Sequence, residues 1–225
     1  MKADLQSRFE SLHREMVDQF ERTAAVENHW LIYGLLGWEH LAACGVSHYL
    51  VQVKELQEPR WLYVVVWLVQ IFVALATIKL ISGQPRTEES PIEPINKRIW
   101  TMFLFLCINI AVLNVVAGQP IFVFMPALAA LSSFCFTFMT SLISRRFMAA
   151  GLVMFASGIL MAKFQTYAFL IYGAGWLVVL QTLSAILWRR RSVWFPSRGE
   201  ESNRKVVHAT GRATGEFAGV GIARQ

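Results

Sequence analysis

Residues 61–82 read WLYVVVWLVQIFVALATIKLIS, an apolar run in which Lys79 is the one charged residue. A helix of about 20 residues crosses the roughly 30 Å hydrocarbon core of a bilayer, and this run has that length. Its apolar residues do not alternate with polar ones, as they would in a strand of a membrane β-barrel. The run therefore predicts a membrane-spanning α-helix, in which every backbone polar group is paired internally.

Five similar runs lie on either side of this one. Together they predict helices near residues 30–51, 61–82, 99–117, 120–143, 147–164 and 166–188. The composition agrees, because 55% hydrophobic residues, 16% charged residues and a mean hydropathy of +0.44 leave too little polar surface for a soluble domain. The sequence predicts an all-α, polytopic membrane protein with a bundle of six transmembrane helices. Pro126, inside the fourth run, predicts a kink there.

The positions of Lys and Arg predict the orientation of the helices. With the N-terminus inside, 18 of the 21 basic residues fall on the cytoplasmic side, and Lys54, Arg60 and Lys163 fall outside. We therefore expect both termini in the cytoplasm, with the bacterial inner membrane as the location. The inner basic residues next to helix ends are expected to act as lipid and topology anchors: Arg145, Arg146, Arg189, Arg190 and Arg191.

The two ends of the chain flank the membrane domain of residues 30–188. Residues 1–29 carry an apolar stripe at helical spacing, which predicts a cytoplasmic amphipathic helix. The stripe consists of Leu5, Phe9, Leu12, Met16 and Phe20. The helix could pack under its own bundle, lie in the lipid interface or join copies as a coiled coil. Residues 189–225 are basic and rich in Gly, Ser and Thr, so we expect a disordered cytoplasmic tail.

The sequence contains no recognised catalytic or cofactor motif. HExxH, GxSxG, Walker and kinase signatures are missing, and the three cysteines lie singly in separate predicted helices. His40 and His48 share one helix, whereas a haem bridging two helices needs axial ligands on both. We therefore expect no metal, no cofactor and no nucleic acid partner, and an enzyme is the less favoured class. The expected partners are the lipid bilayer and other membrane subunits or further copies of the chain.

Polar residues at membrane depth form the one candidate site. Glu39 lies about 14 Å from the inner end of the first helix, counting 1.5 Å per residue, and burial of an acid there is costly. Polar residues on other helices have a similar depth by the same count. The predicted midplane layer consists of Glu39, His40, Gln70, Asn109, Ser132 and Ser157. Its members could be interhelical hydrogen-bonding groups, or they could form a proton, cation or solute path.

Two functions follow from these features. The favoured one is a non-catalytic membrane protein, either a sensor or an accessory or scaffold subunit of a membrane assembly, because the loops are short and no catalytic domain is present. The alternative is a small transporter or a channel-like protein coupled to protons or cations through the layer around Glu39. Access of water to Glu39 discriminates between them.

Overall fold

A computed structural model shows the chain as an all-helical protein. It describes residues 28–53, 61–81 and 92–194 and, nearer the N-terminus, residues 6–8, 10–12, 14–15, 17–19 and 24. Helices hold 94% of these residues, and none of them is in a strand. The all-α prediction is therefore confirmed.

Residues 28–194 contain the helices that build the bundle. The α-helices are α1 (His29–His48), α2 (Trp61–Ile81), α3 (Ile92–Val116), α4 (Met125–Leu142), α5 (Phe147–Lys163) and α6 (Ala168–Trp194). A π-helical turn, Tyr49–Val53, continues α1. Two 3-10 turns, Ile121–Phe124 and Gln165–Tyr167, precede α4 and α6, and they contact each other at one end of the bundle.

Four of the described helical segments are long and apolar enough to cross a membrane. They are Leu62–Ile81, Pro94–Val116, Phe122–Leu142 and Gln165–Arg191. α5 is a shorter apolar helix, and α1, which carries Glu39 and His40, is not among the four. The fold is that of a candidate integral membrane protein with several passes. The count of six crossings stays a prediction.

Prolines mark two helix starts that differ from the predicted ones. α3 begins at Ile92 rather than near residue 99, and Pro94 lies in its first turn, where a missing N–H leaves no helical bond unmade. Pro126 also lies in a first turn, because α4 begins at Met125 after the 3-10 turn. A kink inside a continuous helix 120–143 was therefore the wrong prediction.

α1 and α6 pack against each other most extensively, in antiparallel orientation. Close approach is possible because glycines face side chains: a Cβ on Gly37 would lie 3.3 Å from Leu177, and one on Gly173 would lie 2.8 Å from Cys44. Small residues at helix interfaces are typical of membrane bundles. The contact continues to the start of α1 and the end of α6, where the Trp30 and Trp188 rings meet edge to face, with 4.4 Å between their centroids.

Two side chains of α6 also donate hydrogen bonds to backbone carbonyls of α1. Gln181 Nε2 donates to the Gly34 carbonyl at 2.9 Å, and Ser184 Oγ donates to the Trp30 carbonyl at 2.6 Å. Because each bond joins a side chain of one helix to the backbone of the other, the two bonds fix the sliding register of the helices.

The second helix pair is α4 with α5, and α6 packs against both. Ser133 Oγ of α4 donates to the Gly151 carbonyl of α5 at 2.8 Å. α2 lies outside α1, and α3 lies outside α4, so these two helices are peripheral. Their outer faces are correspondingly exposed: Phe72 of α2 is 72% exposed and Val116 of α3 is 78% exposed.

The terminal predictions are only partly covered by the described residues. The described residues between 6 and 24 are all helical. Val17 packs against the core, and Leu12 is exposed. The other members of the predicted stripe lie outside the described residues. At the other end α6 continues to Trp194, so Arg189, Arg190 and Arg191 lie on its last turns, and residues 195–225 lie outside the described part.

Candidate functional site

α1 presents Glu39 and His40 to its neighbours at the middle of the bundle. Consecutive helical residues point about 100° apart, so the two side chains cannot face the same partners. His40 lies between α2 and α6 and contacts both. The described hydrogen-bond partner of Glu39 lies on α2. We call Glu39, His40, Gln70 and Thr77, which join α1 to α2, the polar clasp.

His40 is fixed by one hydrogen bond and three aromatic rings. The Gln70 amide nitrogen, Nε2, contacts His40 Nδ1. Because an amide nitrogen can only donate, this arrangement assigns Nδ1 as the acceptor and leaves the imidazole proton on Nε2. The imidazole centroid lies 5.7 Å from that of Trp67, 5.2 Å from that of Tyr172 and 5.4 Å from that of Trp176. The ring is thus held in one orientation.

Among the described residues, Glu39 has a hydrogen-bond partner on one side of its carboxyl group. Thr77 Oγ1 donates to Glu39 Oε1 at 2.6 Å. Helical side chains lean toward the N-terminus of their helix, which brings the Glu39 carboxyl group toward the end of α2 that carries Thr77. The second oxygen, Oε2, is buried and has no hydrogen-bond partner in the part of the chain that the structure describes.

Two further atoms of the polar clasp share this condition. His40 Nε2 and Gln70 Oε1 are buried, and within the described residues neither has a hydrogen-bond partner. A buried polar atom without a partner costs about 1 to 3 kcal/mol, so the polar clasp is a half-satisfied network. Such a network can accept a ligand or a new side-chain partner, because the donors and acceptors are already in place.

A second hydrogen bond connects the surroundings of His40 to α4. Tyr172, whose ring contacts His40, lies with its hydroxyl 3.2 Å from Ser132 Oγ. Ser132 Oγ donates its one hydrogen to the Leu128 carbonyl at 2.8 Å, so Tyr172 is the donor in the bond between the two hydroxyls. The path from Gln70 through His40 and Tyr172 to Ser132 therefore crosses α2, α1, α6 and α4.

The predicted layer is brought together only in part. The structure joins His40 to Gln70 directly. It links Ser132 to His40 through one residue, Tyr172, whose ring contacts His40 and whose hydroxyl lies near Ser132 Oγ. Ser157 is buried, but its hydroxyl donates to the Val153 carbonyl of its own helix at 2.9 Å. Asn109 is exposed on α3 and lies apart from the others.

The sequence reasoning missed the residues that complete the site, namely Thr77, Trp67 and Tyr172. A usable signal exists in α2, where Tyr63, Trp67, Gln70 and Thr77 follow a spacing of four, three and seven residues. That spacing places them on one face of a helix. Three residues of this face, Trp67, Gln70 and Thr77, contact α1.

The predicted anchor residues lie at the opposite end of the bundle from the two 3-10 turns. Arg145 and Arg146 lie between α4 and α5, and Arg189, Arg190 and Arg191 lie at the end of α6. Arg191 Nη1 donates to Asn28 Oδ1 at 3.0 Å, which ties the end of α6 to the start of α1. In the described residues no group of three or more His, Cys, Asp or Glu side chains is arranged to hold a metal ion.

Comparisons with known proteins add no family to this picture. No protein-family model, curated protein or solved structure matches the chain.

Proposed function

We propose that this protein crosses the membrane six times with both ends in the cytoplasm, in the bacterial inner membrane, and acts without catalysis as a sensor or accessory subunit of a membrane assembly. Six crossings are supported by the packing of α1 along α6 and of α5 along α4, since each of these partners is an apolar helix of spanning length. The cytoplasmic assignment is supported by the arginines at one end of the bundle, next to Asn28.

The observation that carries the proposed role is that three polar atoms of the polar clasp are buried, although its four side chains are partly exposed. Glu39 Oε2, His40 Nε2 and Gln70 Oε1 are all buried, and the aromatic rings of Trp67, Tyr172 and Trp176 surround His40. A transport path needs water or a solute at these atoms. A closed contact instead holds α2, a peripheral helix, in one position on α1.

A sensor needs an element with two positions, and α2 has the required features. Its main neighbour is α1, and much of its remaining surface is exposed, including Leu80 at 82%. Three atoms of the polar clasp have no hydrogen-bond partner among the described residues, which weakens the hold of α1 on α2. A ligand or partner that satisfies these atoms, or that displaces α2 from them, would shift α2 between positions.

The transporter remains the second candidate, and the same unpaired atoms favour it. A polar solute needs donors and acceptors that converge at one place, and the side chains of the polar clasp provide both. The two functions differ in whether water reaches the polar clasp.

Thiol labelling tests the closed state. In membranes treated with a membrane-impermeant thiol reagent, we expect Gln70→Cys to react no faster than the unaltered chain, whose cysteines are Cys44, Cys107 and Cys135. Gln119→Cys is the matched control, because Gln119 is exposed in the loop between α3 and the following 3-10 turn, and it should react readily. Equal reaction rates for the two variants would contradict the proposal.

Proton flux tests the alternative. The full-length chain, reconstituted into liposomes that contain a pH-sensitive dye, should pass no more protons than empty liposomes under an imposed gradient. A flux that Glu39→Gln abolishes would establish the transporter instead, because the amide keeps the size and an acceptor oxygen but cannot ionise.

Isolation from native membranes in a mild detergent addresses the accessory role, for which we expect another membrane protein in fixed ratio.

A further inference from the structure

α3 carries a polar side chain in a place where lipid gives it no partner. Asn109 is exposed, and none of the described residues forms a hydrogen bond with it. It lies seven residues before Val116, or about 10 Å from the outer end of the spanning segment Pro94–Val116, and further still from the inner end. At this depth no water is present, so a side-chain amide facing lipid is unfavourable.

Asn109 lies in the middle of a regular apolar seam. Met102, Phe105, Asn109, Val112 and Val116 follow one another at spacings of three and four residues, and all are exposed. A repeat that averages 3.5 residues forms one continuous edge on a helix and is the pattern of left-handed helix pairs. Phe105, next to Asn109 on this edge, is 61% exposed. We call these five residues the α3 seam.

The α3 seam faces away from the bundle. The inward side of α3 is marked by Phe103 and Asn114, which are buried, and by Trp100, whose ring meets those of Phe103 and Phe136. Counting about 100° per residue, Asn109 points about 120° away from Phe103 and about 140° away from Asn114. The α3 seam is therefore accessible along its length to another helix.

We propose that the α3 seam is the contact surface between two copies of this chain, which pair in parallel through Asn109. All copies insert with the same orientation, so a twofold axis along the membrane normal places both Asn109 side chains at the same depth. An asparagine amide has both a donor and an acceptor and is complementary to its own copy. The flanking Phe105 and Val112 then pack against their equivalents, which covers apolar surface above and below the amide pair.

A second copy fits the α3 seam better than an unrelated helix. The α3 seam contains a single uncharged amide. A second amide at the same depth can donate to its oxygen and accept from its nitrogen. A buried asparagine in a helix pair also fixes register and the number of helices. The proposal requires only that α3 spans the membrane, and it does not depend on the sensor or accessory role, so a failure of either leaves the other standing.

Disulfide trapping tests the geometry in intact membranes. Under mild oxidation we expect Phe105→Cys and Asn109→Cys to form covalent dimers. Leu104→Cys is the matched control, because Leu104 is also exposed on α3 but points about 120° away from the centre of the α3 seam. The unaltered chain, with Cys107 on α3, gives the background. Cross-linking of Leu104→Cys equal to that of the two seam variants would overturn the proposal.

The strength of the contact tests the role of the amide. Fluorescence transfer between labelled full-length chains, measured in liposomes over a series of lipid dilutions, should show a dimer for the unaltered protein. We expect Asn109→Leu to weaken the dimer roughly tenfold, and Asn109→Gln to retain most of the affinity because the amide is kept. A monomeric unaltered protein, a leucine variant as tight as the unaltered protein, or a glutamine variant as weak as leucine would each overturn the proposal.

Discussion

Gly173 offers the sharpest test of the contact between α1 and α6. An alanine Cβ at this position would lie 2.8 Å from Cys44 Cβ and 3.1 Å from Leu41 Cδ1. Carbon atoms in proteins do not approach that closely, so α1 must shift or Cys44 must leave its place. Overpacking of this kind costs about 1 to 3 kcal/mol. We therefore expect Gly173→Ala to destabilise the protein.

A matched glycine removes the effect of helix propensity from this comparison. Gly45 lies within α1, and a Cβ there meets nothing within 4 Å. Both substitutions gain the same preference of alanine over glycine in a helix, about 1 kcal/mol. The difference between Gly173→Ala and Gly45→Ala is therefore the packing cost alone, about 1 to 3 kcal/mol in the free energy of unfolding.

The assay is unfolding by sodium dodecyl sulfate in mixed micelles, followed by tryptophan fluorescence. A second substitution checks the cause: Cys44→Gly removes the atom that collides, so it should recover part of the loss in the Gly173→Ala background. The two changes should then show a favourable coupling in a double-mutant cycle. Equal stability of Gly173→Ala and Gly45→Ala would refute the close packing of α1 on α6.

Two further predictions concern topology and the polar clasp. Reporter domains fused after Gln225 or within residues 83–98 should report the cytoplasm, and those within residues 52–60 should report the outside; an external C-terminus would contradict six crossings or their orientation. Thr77→Val should lower the free energy of unfolding by about 1 to 3 kcal/mol, because it leaves a carboxyl oxygen on α1 without its donor. Thr182→Val is the control, since its exposed hydroxyl bonds only within α6, and the two variants should differ in the same unfolding assay.

The candidate site shows where sequence reasoning succeeds and where it stops. Counting 1.5 Å per residue predicts Glu39 and Gln70 at membrane depth, and the structure has both at the contact of α1 with α2. Asn109 has a comparable depth but faces outward. In an apolar helix such as α3 the side chains differ little in polarity around the circumference, so the sequence gives the depth of a residue without giving its direction.

The side-chain partners could not be read from the sequence for a related reason. Thr77 lies seven residues from Gln70, and its depth by residue count did not place it beside Glu39. The contact arises because the long Glu39 side chain leans toward the N-terminal end of α1, where α2 presents a hydroxyl. Which helix lies next to α1 is decided by packing between helices, and no local pattern in α1 contains that information.

The sequence by itself determined the class of the protein and its division into apolar helices, because the bilayer imposes length and composition on each segment separately. The tertiary structure decided the arrangement of those helices. It placed α1 against α6, where Gly37 and Gly173 allow close approach, and it paired His40 with Gln70 while leaving Asn109 on the outer face. In a membrane the lipid is as apolar as the side chains, so the hydrophobic effect drives insertion but does not select neighbours. Shape complementarity and a few buried hydrogen bonds make that selection, and both exist only once the helices are together.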